Sequence, residues 1–304
     1  GKSWARIGQI PKRVFVRYVE RKLLMAFTFA NVNGRSALVR ENSFFDLEAI
    51  SDGAVSADPM EALTTPEALH DLSANLETFT ASGNVDDVVL GAPVPRPTNS
   101  FGIGLNYQTH VDEAAMETPD VPMVFAKLPS CITGPTSDVQ MRSGECDYEG
   151  ELVVVIGPGG KDINEDQGWG HVVGLTVGQD FSDRGAQFMN APAQFTLGKS
   201  MDSFGPTGPV LVSTDSFPDP ADLELQTRVN GELRQHDRTS SLIFSIPKLI
   251  AFISRFVTLT TGDLIFTGTP EGVGFRNGVF LTDGDVVRTY IEGIGTLENR
   301  CIQI

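Results

Sequence analysis

Cysteine and histidine are scarce in this 304-residue chain, and their spacing argues against two classes of protein. The three cysteines, Cys131, Cys146 and Cys301, form no Cys-x-x-Cys pair and leave one unmatched, which disfavours a disulfide framework. The four histidines are scattered without the spacing of zinc ligands, so a zinc site is also disfavoured. Unpaired thiols are typical of a reducing compartment, and we therefore expect a cytoplasmic protein.

Positive charge is scarce as well, because 23 Lys and Arg oppose 39 Asp and Glu and give a formal net charge of −16. Such a surface repels nucleic acid and anionic membranes, so neither is an expected partner. No apolar run reaches the roughly 18 residues that a membrane span needs, and the stretch 242–257 is broken by Pro247, Lys248 and Arg255. We expect a soluble protein whose partner is a small molecule.

The first 24 residues have the opposite charge balance to the rest of the chain. They contain a single acid and seven basic residues, which are Lys2, Arg6, Lys12, Arg13, Arg17, Arg21 and Lys22. The segment lacks the apolar core of a signal peptide, and it ends just before Met25, which can serve as a native start. We expect residues 1–24 to be a basic extension upstream of the native protein, with a targeting or docking segment as the alternative.

A proline-rich connection over residues 91–100 marks the expected boundary between two domains. Before it, residues 26–39 predict a hairpin with an Asn-Gly turn, followed by short helices. Beyond it, short β-branched runs alternate with Gly and Pro turns, and one clear helix is predicted over 245–256. The prediction is a small N-terminal α+β domain over 25–92 and a β-rich α+β domain over 97–304. The predicted strands of the second domain are 150–156, 172–177, 210–212, 225–229, 263–267 and 286–291.

Three acids stand within five residues, Asp147, Glu149 and Glu151, just before the apolar run 152–156. Side chains alternate along a strand, so Glu149 and Glu151 point to the same side. Asp180, at the end of the next apolar run, can bring a third carboxylate to the same place. Hard oxygen ligands favour Mg²⁺, Mn²⁺ or Ca²⁺ over zinc. The sequence therefore predicts a metal site, with solvated turn acids as the alternative.

His110 and Glu113 are three residues apart and become neighbours if a helical turn forms there. A carboxylate beside a histidine fixes the tautomer of the ring and raises its basicity, as a general base for water requires. The alternative is an ordinary contact on a helix surface.

Four polar residues further along the chain are also candidates for the site. Arg184 and Gln187 follow Asp180 closely, and Lys199 adds an amine. Thr269 belongs to a Thr-Gly-Thr-Pro turn whose N–H groups can receive a carboxylate. The alternatives are local charge neutralisation for Arg184, a solvated loop position for Lys199 and a plain turn at Thr269.

The order of these segments over about residues 97–304 resembles that of the fumarylacetoacetate hydrolase family. The motifs that carry the resemblance are Gly-x-Asn-Tyr-x-x-His-x-x-Glu at 104–113, Phe-Ala-Lys at 125–127, Asp-Tyr-Glu-Gly-Glu at 147–151, Asp180 with Arg184 and Gln187, Gly-Lys at 198–199, and Thr-Gly-Thr-Pro at 267–270. The resemblance implies a mixed β-sandwich roll preceded by a small variable module, and usually a homodimer.

The resemblance also implies a role for each candidate residue. It implies that Glu149, Glu151 and Asp180 hold Mg²⁺ or Mn²⁺. The implied catalytic residues are His110 and Glu113, on a lid that closes over the substrate, together with Lys199. The implied substrate-binding residues are Arg184, Gln187, Thr269 and Lys127.

The activity implied is that of a divalent-metal-dependent hydrolase that cleaves a carbon–carbon bond in acylpyruvate-like 2,4-diketo acids. The cation stabilises the negative charge of the departing keto-acid fragment. His110, oriented by Glu113, activates water, and Lys199 steadies oxyanion charge or delivers a proton. The leading alternative is an oxaloacetate decarboxylase that uses the same site. Dehydratase or isomerase action on related 2-keto acids, action on 2,4-diketo-3-deoxy sugar acids, and a metal-dependent sensor without turnover are the others.

Overall fold

The computed structural model describes residues 26–115 and 117–304, so the expectation for residues 1–24 lies outside the described residues. In this part of the chain the strands are β1 (Thr28–Val32), β2 (Arg35–Arg40), β3 (Ser43–Asp46), β4 (Gly83–Asn84), β5 (Leu90–Gly91), β6 (Ser100–Gly104), β7 (Met123–Ala126), β8 (Ile132–Thr133), β9 (Val139–Met141), β10 (Cys146–Asp147), β11 (Gly150–Ile156), β12 (Val172–Gln179), β13 (Ser182–Asp183), β14 (Gly205–Val212), β15 (Glu224–Val229), β16 (Glu232–Arg238), β17 (Leu264–Phe266), β18 (Val286–Ile291) and β19 (Gly295–Gln303).

The helices are short and stand between the strands. The α-helices are α1 (Leu47–Ile50), α2 (Pro59–Ala62), α3 (Pro66–Ala74), α4 (Gln108–Glu113), α5 (Arg184–Phe188), α6 (Phe195–Gly198), α7 (Ile246–Ser254) and α8 (Gly274–Asn277). The 3₁₀ segments are Leu76–Thr78, Val85–Asp87, Pro129–Cys131, Glu165–His171, Thr214–Ser216 and Thr239–Ser241.

The largest sheet contains twelve strands and joins the two halves of the chain. Its path runs β4-β3-β2-β1-β14-β12-β11-β17-β6-β7, with β5 on β1 and β8 on β14. Strand β1 pairs antiparallel with β14, so the strands within residues 28–91 continue the sheet that contains β11 and β12. The division into domains at 25–92 and 97–304 therefore stays a prediction, as does the homodimer.

A second sheet, with the order β16-β15-β18-β19-β9, and a two-stranded pair of β10 with β13 complete the β-structure of the described residues. Strand β11 lies between β12 and β17 and is buried along its whole length. Val153 and Val155 belong to one apolar core, whereas Leu152 and Val154 belong to another. Apolar packing on both faces of the strand explains why residues 152–156 form an unbroken hydrophobic run. The β-rich α+β class is confirmed.

Several local predictions can be compared with these bounds. The predicted hairpin forms, and its turn residues Asn33 and Gly34 have φ values of 51° and 86°, as an Asn-Gly turn of type I′ requires. Strands β11 and β18 begin and end at the predicted residues. The predicted helix is α7, which ends at Ser254, two residues early, and Ser245 stands at its N-cap position without a side-chain capping bond.

The cysteines behave as the sequence predicts. All three are unpaired and buried. Burial raises the pKa of Cys301 to about 12, so this thiol is unreactive at neutral pH. The cytoplasmic location that was inferred from the cysteines stays a prediction. No helix in the described part of the chain has the length and apolar character that a membrane span requires.

Candidate functional site

Two neighbouring antiparallel strands, β11 and β12, bring three carboxylates together. Glu151 lies opposite Gly178 in the ladder, and the N–H of Asp180 donates to the carbonyl oxygen of Glu149 at 2.9 Å. One oxygen from each of Glu149, Glu151 and Asp180 lies within 4.8 Å of the others. Each of the three residues is at most 6% exposed. The three acids named from the sequence therefore do converge.

Lys199 stands directly beside two of these acids. Its Nζ donates to Glu149 Oε2 and to Asp180 Oδ2, each at 2.8 Å, and to Ser182 Oγ at 3.0 Å. Lys199 follows α6 directly as its C-cap residue and is only 2% exposed, so it is not a solvated loop residue. These three hydrogen bonds hold the ammonium group beside the carboxylates and fix its orientation.

Lys127 contacts the same cluster from the other side. Its side chain is fully buried, and Nζ donates to Asp180 Oδ1 at 2.6 Å, to the carbonyl oxygen of Phe204 at 3.2 Å and to the carbonyl oxygen of Lys199. Burial lowers the pKa of Lys127, but the interactions with Asp180, Cys131 and Glu151 together outweigh it and hold the pKa above its ordinary value. These contacts place Lys127 behind Asp180, and its role in binding substrate stays a prediction.

Glu151 forms no salt bridge with any Lys, Arg or His among residues 26–115 and 117–304, although the charge of Lys199 acts on it from a greater distance. Its Oε2 accepts the N–H of Gly268 at 2.7 Å. Burial, together with the neighbouring Asp180 and Glu149, raises the pKa of Glu151 well above its ordinary value. Three buried carboxylates, one of which forms no salt bridge, fit a divalent cation. The cation would add positive charge beside Glu151.

Asp147 organises the opposite side of the cluster, a role that the sequence analysis did not assign to it. Its Oδ2 accepts bonds from Arg184 Nε at 2.9 Å and Nη2 at 2.7 Å. Its two oxygens also accept the N–H groups of Gly274 at 2.7 Å and Phe275 at 3.0 Å, at the start of α8. The available signal was its membership of the same acidic triplet.

Arg184 links Asp147 to the predicted metal ligands. Its Nη2 donates to Glu149 Oε1 at 2.7 Å, and its Nη1 donates to Gln187 Oε1 at 2.9 Å. Burial raises the pKa of Glu149, but Lys199 and Arg184 outweigh it and lower that pKa to about 2. Glu149 is therefore ionised at neutral pH, as a cation ligand must be.

The predicted helical turn at His110 and Glu113 forms as α4. His110 Nδ1 lies 3.4 Å from Glu113 Oε2, and the Glu113 carboxylate accepts the N–H of Gly272 at 3.1 and 3.2 Å. Because Nδ1 faces Glu113, Nε2 is the ring nitrogen left for a ligand.

These groups border one cavity of about 290 Å³. The predicted site residues that line it are His110, Glu149, Arg184, Gln187, Lys199 and Thr269. Thr269 is held from behind, because its Oγ1 donates to the carbonyl oxygen of Gly150 at 2.9 Å and accepts Gln235 Nε2 at 2.8 Å. The cavity therefore has a charged end, formed by Glu149, Lys199 and Arg184.

The other walls of the cavity are largely apolar, and the sequence analysis missed them. Phe188 stacks on Phe275 with ring centroids 5.2 Å apart, and Phe195 meets Phe188 edge-on at 6.0 Å. Met123 completes this surface. These aromatic residues come from α5, α6 and α8, and no local pattern links such distant segments.

Comparison with known proteins gives the same family across most of the chain. A family model described as fumarylacetoacetate (FAA) hydrolase C-terminal matches residues 99–302. Oxaloacetate tautomerase YisK from Bacillus subtilis (strain 168) is 40% identical over 272 residues, which cover 86% of this chain and 90% of the relative.

Solved structures agree with the fold. A Mycobacterium smegmatis protein described as HpcE has a TM-score of 0.85 and 42% identity, covering 91% of this chain and 99% of that one. Maleylpyruvate hydrolase from Sphingobium sp. SYK-6, solved in complex with manganese(II) and pyruvate, has a TM-score of 0.77 and 28% identity, covering 91% of this chain and 99% of that one.

Proposed function

Since this chain belongs to the fumarylacetoacetate hydrolase family, we propose that it is a divalent-metal-dependent enzyme that interconverts the keto and enol forms of oxaloacetate or a closely related 2-oxo acid. The observation that carries the proposal is the cluster of three buried carboxylates beside a cavity that Lys199 and His110 also line. The activity named for the Bacillus subtilis relative supports this reaction ahead of the hydrolysis expected from the sequence.

Glu149, Glu151 and Asp180 would hold the metal, Mg²⁺ or Mn²⁺. Both ions suit three hard oxygen donors, and the manganese in the maleylpyruvate hydrolase structure is consistent with either. The chemistry that such an ion supplies when bound is Lewis-acid stabilisation of negative charge on the 2-oxo oxygen.

The residues of this chain would move two protons. In the keto-to-enol direction, His110 Nε2 accepts the proton that leaves C3, and Lys199 Nζ donates a proton to the C2 oxygen. His110 then releases its proton to solvent and Lys199 takes one up, which restores both groups; the enol-to-keto direction runs the same steps in reverse. Lys199 is suited to this because its ammonium group is already directed by Glu149 and Asp180. His110 is suited because Glu113 fixes its ring, and Glu113 is itself fixed by the N–H of Gly272.

The remaining cavity residues would orient the substrate. The Gln187 carbonyl oxygen is occupied by Arg184 Nη1, which leaves the Gln187 amide nitrogen to donate to the C1 carboxylate. The aromatic residues Phe188, Phe195 and Phe275 would pack against the carbon chain of the substrate.

The proposal is tested by following the enol form of oxaloacetate in the ultraviolet with Mg²⁺ or Mn²⁺. We expect the protein to accelerate the enol-to-keto conversion at least about tenfold over the metal alone, and EDTA to abolish the acceleration. Pyruvate formation, measured with lactate dehydrogenase, separates this reaction from the decarboxylation expected as the alternative. An enol decay that is identical with and without protein would overturn the proposal.

Hydrolysis of a carbon–carbon bond in acylpyruvates is a second candidate, because the His110–Glu113 pair has the arrangement that water activation requires. Acetylpyruvate is the diagnostic substrate, since its hydrolysis yields acetate and pyruvate. Release of both products at a rate above that of oxaloacetate conversion would put hydrolysis first.

His110→Ala is expected to lower kcat for oxaloacetate tautomerisation by about 100-fold or more, because general acid–base groups contribute roughly 10²–10⁴-fold. The affinity for Mn²⁺, measured by calorimetry, should be unchanged. His236→Ala is the matched control, since His236 is exposed and pairs with Glu224 on β15. An unaltered kcat in His110→Ala would remove His110 from the proposed proton transfer.

A further inference from the structure

Arg276, on α8, differs from the other cations of the cavity. It lines the cavity and is exposed, and no acid within residues 26–115 and 117–304 forms a salt bridge with it. Arg184 and Lys199, by contrast, are both buried and paired with carboxylates. A guanidinium group that lacks a carboxylate partner at the wall of a cavity is suited to a carboxylate that arrives with the ligand.

The Phe275 ring lies close both to Arg276 and to Arg184, at the charged end of the cavity. The Phe275 centroid lies 5.6 Å from the Arg184 guanidinium carbon and 6.0 Å from that of Arg276. Phe188 stacks on the same ring. Two guanidinium groups therefore lie close to one aromatic ring: that of Arg184 is paired with carboxylates, and that of Arg276 forms no salt bridge with the described residues.

We propose that Arg276 determines specificity by binding the second carboxylate of a 2-oxo dicarboxylic acid whose keto-acid end lies at the Glu149, Glu151 and Asp180 cluster. This assignment rests on the proposed function and names the class of substrate within it. The contact of Arg276 with Phe275 limits the conformations that binding must freeze.

The test measures exchange of the C3 hydrogens of each substrate for deuterium. The exchange is monitored by NMR in D₂O, with enzyme that is loaded with Mg²⁺ and free of Mn²⁺. Oxaloacetate and 2-oxoglutarate are the dicarboxylate probes, and 2-oxobutyrate is the monocarboxylate probe. Arg276→Leu should lower kcat/KM by about 10- to 100-fold for at least one dicarboxylate, since hydrogen bonds to charged groups have that value. The effect on 2-oxobutyrate should stay below about threefold.

Two further variants sharpen the comparison. Arg276→Lys keeps the charge but not the forked geometry, so its loss should be intermediate. Arg142→Leu is the matched control, because Arg142 is exposed and outside the cavity lining. A binding readout that does not depend on turnover is calorimetric titration with 3,3-difluoro-oxaloacetate, which cannot enolise; Arg276→Leu should raise its Kd by a similar factor.

An equal loss for dicarboxylates and 2-oxobutyrate, or no loss in Arg276→Leu, would overturn the assignment of Arg276. Failure of the proposed function is distinguishable, because the unaltered protein would then exchange none of the three probes. Thermal unfolding of each variant confirms that the exposed substitution leaves the fold intact.

Discussion

Glu151→Gln is expected to lower catalysis by about 1,000-fold or more, and to weaken Mn²⁺ binding by about 100-fold. The reason is that the substitution removes one of three anionic donors from the proposed metal site, and Lewis-acid stabilisation accounts for several kcal/mol of the barrier. The amide keeps an oxygen for the N–H of Gly268. The two measurements are kcat with saturating metal and a calorimetric Mn²⁺ titration.

The stability of this variant gives an independent check. Glu151 forms no salt bridge in the described structure, and its burial beside Asp180 and Glu149 raises its pKa. Neutralising it relieves repulsion, so the metal-free variant should unfold at the same temperature as the unaltered protein or higher. Glu165→Gln, at an exposed position, is the control that should change neither property. Full activity in Glu151→Gln, or a collapse of its fold, would contradict the geometry.

Lys127→Met should have the largest effect on stability, about 3–5 kcal/mol, because it breaks a buried ion pair by removing one partner. Asp180 then loses the donor on Oδ1, and the carbonyl oxygens of Lys199 and Phe204 lose the lysine donor, although the latter keeps the N–H of Phe181. The measurement is urea unfolding in EDTA. The control is Lys248→Met, an exposed lysine over the Phe244 ring, which should change stability by less than about 1 kcal/mol.

Metal should partly rescue Lys127→Met. A divalent cation beside Asp180 replaces some of the lost positive charge, so adding Mn²⁺ should stabilise this variant by more than it stabilises the unaltered protein. A loss below about 1 kcal/mol in EDTA would mean that the Lys127–Asp180 contact is not the support inferred here.

The carboxylate cluster could be predicted because it depends on local rules. Alternation along β11 places Glu149 and Glu151 on one side, and an antiparallel neighbour whose ladder reaches Gly178 brings Asp180 to the same end. The burial of Lys199 could not be settled in this way. A lysine in a Gly-Lys-Ser segment is as typical of a solvated loop as of a buried site. Its burial here depends on the position at the end of α6, where its ammonium group reaches Glu149 and Asp180.

Long-range pairings were outside the reach of sequence patterns. The pairing of β1 with β14 joins segments far apart in the chain, and the pattern of either strand is compatible with several partners. The stacking of Phe188 on Phe275 has the same origin, since each aromatic residue alone is an ordinary apolar position. The role of Asp147 depends on contacts of the same kind, because its two oxygens accept hydrogen bonds from Arg184 and from the start of α8, which lie far from it in the chain.

The two-sided bonding of Asp147 has a geometric consequence for ligand length. One carboxylate fixes Arg184 through its side chain and fixes the backbone of Gly274 and Phe275, the residues immediately before Arg276. Asp147 therefore holds the elements that carry both guanidinium groups, Arg184 and Arg276. We expect this shared support to limit the length of dicarboxylate that can reach from one group to the other.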